Sequence, residues 1–348
     1  MKKITARQQK IVKIILDEKR SSISDIKKLI SENVSQVTLN RDLAILVDNN
    51  YLIRKGKARS THYIISNFYK VFQLINTETY FDKEPDERVL SSNFNFEIFD
   101  LLSSISIFTK DEVKYLTELQ EKYKKNISTI PPTIYKKEIE RLSIELSWKS
   151  AQIEGNTYSL LETEQLFKER KEAENKTKEE AVMLLNHKDT LNFMMEYKSN
   201  SNKITVRFIE EIHSFLIKDL GVPKNIRNRI VGITGTAYKP LDNDFQIKES
   251  LQKMCDIINA KENIFEKALI AIILISYIQP FEDGNKRTGR MVGNAILINN
   301  NACPLSYRSV AVLDYKKAVL LFYEQNNLSM FKDLFIDQNK FAVENYFL

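Results

Sequence analysis

The chain has 348 residues, 43% of them hydrophobic and 28% charged, with 8 glycines and 7 prolines; this is enough apolar material for a sizeable core and two or three domains, dominated by helices. Cys255 and Cys303 lack metal-ligand spacing and cannot build a disulfide framework, the N-terminus lacks the uninterrupted apolar core of a secretion signal, and the longest mostly apolar run, Ala268 to Ile278, falls well short of the roughly 20 residues that cross a bilayer. The formal charge of +6 is uneven, because residues 1–67 hold 14 Lys/Arg against 6 Asp/Glu, a net of +8, and the rest sums to about −2. These features predict a cytoplasmic protein with no membrane segment and with a local positive field suited to a polyanion.

From Ala6 to Arg20 the residues Ile11, Val12, Ile14 and Ile15 keep helical spacing, and a second short helix is expected from a cap at Ser24 to Ile30. Ser35 opens a third, in which Val37, Leu39, Leu43, Leu46 and Val47 are read as the inward stripe. Gln36, Thr38, Asn40 and Arg41 remain near its N-terminus for a partner. Two short β-type runs then flank a Lys-Gly-Lys-Ala-Arg turn. Three helices and a basic hairpin within 67 residues resemble the winged helix-turn-helix of bacterial regulators, the DeoR type in particular. That resemblance implies double-stranded DNA as partner, with Gln36 and Arg41 toward base edges, Thr38 among the DNA-site residues and Arg54, Lys55, Lys57 and Arg59 on phosphates. Many such regulators bind as dimers, so a homodimer is among the expected assemblies.

Residues 68–132 carry aromatics and serines without firm periodicity and read as a connector with some helix, ended by Pro131-Pro132. A helix is expected over 134–156. Glu154 lies at its C-terminus, where the dipole disfavours an anion, and Gly155 supplies the stop. A carboxylate in that position needs a partner elsewhere. Farther on, Ile230, Val231 and Ile233 with a Gly-Thr turn predict an exposed hairpin over 229–242.

The apolar helix around Ala268–Ile278 is followed by Gln279-Pro280-Phe281-Glu282-Asp283-Gly284-Asn285-Lys286-Arg287-Thr288-Gly289-Arg290 and a second apolar helix. A loop feeding a helix N-terminus offers unpaired N–H groups and a positive dipole, and Gly284 lets backbone approach a phosphate. Arg287 and Arg290 place guanidinium forks on nearly one helix face, and Asp283 is the candidate Mg²⁺ ligand.

This stretch matches the Fic family motif His-x-Phe-x-(Asp/Glu)-Gly-Asn-(Gly/Lys)-Arg-x-x-Arg everywhere except its first residue. The resemblance extends over roughly residues 135–340 and implies an all-helical Fic fold with a β-hairpin flap, within a mainly α chain that also carries the N-terminal winged-helix domain (1–67). It further implies ATP and Mg²⁺ as cofactors, with nucleotide contacts from Gly284, Asn285, Lys286, Arg287, Thr288, Gly289 and Arg290 in the loop (279–290). The flap implies contacts from Thr234, Gly235 and Thr236 and a grip on a segment of an unknown target protein. Ser150, Glu154 and Gly155 match the family's inhibitory pattern, in which the glutamate pairs with the second motif arginine, here Arg290, and blocks the productive γ-phosphate position.

Gln279 stands where active relatives carry the histidine that takes the proton from a target hydroxyl as it attacks the α-phosphorus of ATP. An amide has no basic lone pair at neutral pH, and loss of a general base costs about 10²- to 10⁴-fold. The sequence therefore supports an impaired protein adenylyltransferase, autoinhibited by Glu154 and coupled to DNA binding. The alternative is a non-catalytic Fic pseudoenzyme acting as a nucleotide-responsive, DNA-binding regulator; removal of AMP from a modified target is a third and weaker reading. Glu324, with Asn326 and Asn327, falls where relatives carry an adenine-contacting asparagine, and His62, His187 and His213 lie outside the motif.

Overall fold

The computed structural model describes residues 4–30, 34–88, 90, 93–196 and 203–348. The chain forms two compact units, one of residues 1–80 with 326–329 and the other of residues 81–325 with 330–348.

The first unit begins with α1 (Ala6–Glu18), α2 (Ile23–Leu29) and α3 (Gln36–Asp48), followed by β1 (Leu52–Lys55) and β2 (His62–Ile65). Thr5 and Gln8 cap α1 reciprocally, satisfying two donors that a helix start leaves open. The cap of α2 is Ser22 rather than Ser24, since Ser22 accepts the Asp25 N–H while the Asp25 carboxylate takes the Ser22 N–H in return. Leu39, Leu43 and Leu46 are fully buried against Ile11, Ile15 and Ile26, but Val37, expected in the same stripe, is 79% exposed. Two residues before Leu39 is about 200° around the helix, which turns Val37 to the opposite face. Asp42 on α3, 4% exposed, accepts from Arg7 Nε (2.6 Å) and Gln8 Nε2 (3.0 Å) of α1 and joins the two helices. The strands pair antiparallel from Leu52↔Ile65 to Lys55↔His62, with Ser21 bridging Tyr63 on the far side. α4 (Asn67–Phe72) and α5 (Thr77–Phe81, whose last residue belongs to the second unit) follow.

The second unit is helical: α6 (Glu97–Ser104), α7 (Lys110–Thr129), α8 (Pro132–Ile153), α9 (Leu160–Glu169), α10 (Lys178–Glu196), α11 (Val206–Leu216), α12 (Asp244–Ala260), α13 (Ile264–Ile278), α14 (Asn285–Asn299), α15 (Val312–Gln325) and α16 (Ser329–Asn345, whose first residue belongs to the first unit). α13 is at its heart, with its apolar residues from Ala268 to Ile278 all fully buried. The connector stretch is more ordered than its sequence indicated, because Phe94 stacks on Tyr277 with ring centroids 4.7 Å apart and the Asn95 N–H donates to Tyr277 Oη (2.8 Å).

α14 lies so close to α13 that glycine is required where they touch. A Cβ on Gly289 would come within 2.7 Å of the Ile272 carbonyl oxygen, and one on Gly293 within 2.5 Å of Ile272 Cγ1. Gly289, expected among the nucleotide contacts, thus lies on the helix-helix seam.

The hairpin expected over 229–242 forms no strand; among the described residues the only sheet is β1–β2. Arg227, 2% exposed, takes the place of a ladder, its guanidinium donating to the carbonyls of Arg229, Leu241 and Gln279, each at 2.6 Å. One side chain therefore clamps both ends of the segment to the end of α13. Its tip is a turn at Thr234–Gly235, where Gly235 has φ +85°.

Gly289→Ala should destabilise the protein by about 1–3 kcal/mol, the usual cost of forcing a methyl into a packed seam. Here the obstacle is backbone, which yields poorly. A drop in the chemical denaturation midpoint checks this; an unchanged midpoint would mean that the seam can open.

Candidate functional site

The site is assembled where α13 gives way to α14. Gln279 ends α13 in the left-handed region (φ 51°), and Gly284 (φ +77°) caps α14. Between them Phe281 is fully buried and stacks on His213, ring centroids 3.6 Å apart. Asn285 closes the loop: its Oδ1 accepts the Phe281 N–H (2.8 Å), and its Nδ2 donates to Phe281 O (2.8 Å) and Gln279 Oε1 (2.9 Å). The Gln279 amide donates in turn to Ser276 O (2.6 Å) and Tyr323 Oη (3.2 Å). Both ends of this side chain are thus committed to holding the loop.

Glu154, the cap residue of α8, bridges two cations of α14. Its Oε1 accepts from Arg290 Nη2 at 2.9 Å and its Oε2 from Lys286 Nζ at 2.8 Å. Gly155 turns the chain away at φ +101°. Burial alone would raise the Glu154 carboxyl, but Arg290 and Lys286 outweigh it and hold the group at about 2. Arg290 also donates to Ser150 twice, from Nε to Oγ (3.0 Å) and from Nη2 to the carbonyl (2.9 Å). His187 completes the chain, with Nδ1 at 2.8 Å from Met183 O and Nε2 at 2.9 Å from Ser150 Oγ. A ring that donates to a carbonyl through Nδ1 presents an acceptor at Nε2, so the Ser150 hydroxyl donates to His187 and accepts from Arg290. Burial lowers His187 to about 3 and His213 to about 4. Both rings are neutral at physiological pH.

A cavity of about 660 Å³ opens beside the loop. Gln279, Asp283, Gly284, Asn285, Lys286, Glu154, Thr234 and Gly235 line it. The remaining expected contacts are placed otherwise. Arg287, 1% exposed, donates to Asp283 (2.7 Å); Thr288 Oγ1 is 3.2 Å from His213 Nδ1; Gly289 is on the α13 seam; Arg290 is taken up by Glu154 and Ser150; and Thr236 accepts the Tyr238 N–H (3.1 Å). Neither His187 nor His213 lines the cavity.

Several lining residues gave no sequence signal, notably Phe81, Lys83 and Arg88 from the stretch read as connector, and Lys316, Lys317 and Tyr323 on α15. Glu324 is fully buried and pairs with Arg88 at 3.3 Å, while Asn327 belongs to the first unit, where its amide donates to Gln73 O (2.7 Å). In that first unit Gln36, Arg41, Arg54, Lys55, Lys57 and Arg59 are exposed, and Thr38 is half-buried with its hydroxyl 2.9 Å from Ser35 Oγ.

Residues 203–297, which include the loop and α14, match the family model described as the Fic/DOC family. The chain carries a Fic/DOC domain. A probable protein adenylyltransferase of Aquifex aeolicus is 27% identical over 115 residues, 32% of this chain and 36% of that protein, so the chain spans little more than a third of this relative's length. Among solved structures, Fic-1 of C. elegans superposes with a TM-score of 0.57 at 19% identity, covering 68% of this chain and 72% of that one. A Fic family protein from Desulfovibrio desulfuricans gives 0.55 at 18% identity, covering 69% and 74%. The second unit therefore has the Fic fold in a mainly helical chain, and no described helix is long and apolar enough to cross a membrane.

Glu154 has a folded-state value below its unfolded one, so its stabilisation is complete above about pH 4.5 and is lost as pH falls through about 2. A depression of this size corresponds to something on the order of 3 kcal/mol. Thermal unfolding of the parent and Glu154→Gln at pH 7 and pH 3 should show the parent's advantage shrinking at the lower pH. An advantage independent of pH would contradict the bridge.

Proposed function

We propose that the chain is a Fic-type, nucleotide-binding protein built to transfer AMP from ATP to a protein hydroxyl, held at slow or no turnover by Gln279 and kept closed by Glu154. The observation that carries this reading is the loop itself: the α14 N-terminus, Gly284 and Lys286 open onto the cavity, while Glu154 occupies the cations that a nucleotide's terminal phosphate would need. Asp283, 64% exposed at the cavity rim, fits a Mg²⁺ ion that would take its other ligands from phosphate and water. That ion would neutralise charge on the phosphates.

In the transfer, a target hydroxyl oxygen bonds to the α-phosphorus, the bond to the bridging oxygen breaks and pyrophosphate leaves. The hydroxyl proton then needs an acceptor. Gln279 has no basic lone pair, and its carbonyl oxygen already accepts from Asn285. The buried His187 and His213 lie outside the cavity lining. What remains is positioning and electrostatic stabilisation by the loop. The 229–242 segment, clamped by Arg227 with Ile230 78% exposed, is the surface offered to a target protein.

A second reading rests on the first unit: a non-catalytic Fic module attached to a DNA-binding winged helix. Gln36 and Arg41 are exposed at the start of α3, and Arg54, Lys55, Lys57 and Arg59 are exposed along the hairpin, within a segment of net +8. Phosphate contacts by those cations would make binding steeply salt-dependent. Arg41→Ala should reduce discrimination among duplexes by about 1–3 kcal/mol, whereas Lys57→Ala should weaken all duplexes alike and flatten the salt dependence. Equal behaviour of the two variants in fluorescence anisotropy would remove the base-reading assignment, and no duplex binding at low salt would remove the DNA reading.

With Mg²⁺ and α-labelled ATP in a cell lysate, the Gln279→His, Glu154→Gly variant should label a protein about 10²- to 10⁴-fold faster than Glu154→Gly alone. No labelling by either, with ATP bound by both, would end the transferase reading and favour the pseudoenzyme.

A further inference from the structure

Arg88 comes from the segment between α5 and α6, outside the matched domain, yet it reaches the cavity. Its side chain is 4% exposed, which is rare for an arginine unless it is paired. Nη2 donates to the Gly235 carbonyl at 2.6 Å, and Nη1 lies 3.3 Å from Glu324 Oε1 on α15. Its guanidinium sits over the Phe81 ring, 5.1 Å from the centroid. Leu320, one helical turn before Glu324, is the side chain nearest the Cβ position of Gly235. Arg88 therefore spans from α15 to the tip of the 229–242 segment, which has no ladder of its own to hold it.

The loop offers N–H groups and Lys286, which suit phosphate, whereas Phe81, Leu313, Val319 and Leu320 add apolar surface, with Leu320 against the Thr234–Gly235 turn and Lys317 over the Phe81 ring. That surface suits a base and its ribose. Resting on the nucleotide reading above, we propose that Arg88 is a positioning residue for the nucleoside end of the cavity, fixing the Thr234–Gly235 turn against α15 so that the wall is in place before the ligand arrives. Pre-ordering of this kind removes an ordering cost from binding.

The test uses the full chain carrying Arg88→Met with Glu324→Gln, which removes the donor fork without leaving a buried carboxylate unpaired. Amide hydrogen exchange is measured on the ligand-free protein, and affinity is measured for ATP and for inorganic tripolyphosphate. Losing a hydrogen bond from a charged group should speed exchange at residues 232–236 about 10- to 100-fold and weaken ATP about tenfold or more, while tripolyphosphate binds as before. Arg88→Lys, which keeps a cation beside Glu324 without the fork, should show the same pattern in smaller measure and replaces the double variant if that fails to fold. Unchanged exchange overturns the positioning role. Unchanged ATP affinity despite a loosened turn, or equal weakening of both probes, overturns the nucleoside assignment. If neither the parent nor the parent carrying Glu154→Gly binds either probe, the nucleotide reading and the nucleoside assignment both fall, and exchange alone still decides whether Arg88 fixes the turn.

Discussion

The approach of α14 to α13 sets everything that happens at the loop. Two glycines, Gly289 and Gly293, let the helices meet closely: a Cβ would press on the Ile272 backbone at the first position and on the Ile272 side chain at the second. That contact sets where α14 begins, and so where its free N–H groups and Lys286 point. It also places Arg290 within reach of α8, more than a hundred residues earlier in the chain. The loop is then fixed from within by Asn285, which satisfies both polar groups of Phe281 and the Gln279 side-chain oxygen. In the proposed function, a loop that must not collapse without its ligand needs such internal bonding.

Glu154 acquires its role from this frame. A carboxylate at a helix C-terminus is locally unfavourable, and its folded-state value near 2 shows how strongly Arg290 and Lys286 reverse that. Arg290 in turn is oriented by Ser150, and Ser150 by a neutral His187 whose other nitrogen is held by a helix carbonyl. Arg290 and Lys286 are thus paired with an anion of the protein's own. In the proposed function, closure and catalytic impairment are separate: one lies in α8, the other in the single residue Gln279.

Much of this was legible in the sequence because it is local. The loop motif, the glutamate at a helix C-terminus just before Gly155 and the apolar run of α13 each announce themselves within a dozen residues. Other features depend on the tertiary fold. Arg227 is one basic residue among many until its guanidinium is seen to hold three carbonyls, fixing the ends of a 229–242 segment that forms no strands. Gly289 sits inside the motif, so its packing role was hidden behind its neighbours' chemistry. Phe81 and Arg88 lie in a stretch without periodicity, and only long-range contacts bring them to the cavity. Val37 leaves the expected stripe for a simpler reason: its spacing from Leu39 points it to the opposite face, where 79% of it is exposed.

The central claim is that Glu154 closes an otherwise competent nucleotide site, and calorimetric titration of Mg²⁺ and ATP, with AMP as control, into the parent and Glu154→Gly tests it most directly. The account predicts that the variant binds ATP about tenfold or more tighter than the parent, as expected when a charge-assisted competitor is removed, with a much smaller gain for AMP. Equal ATP affinities in the two proteins, or a gain as large for AMP as for ATP, would contradict it.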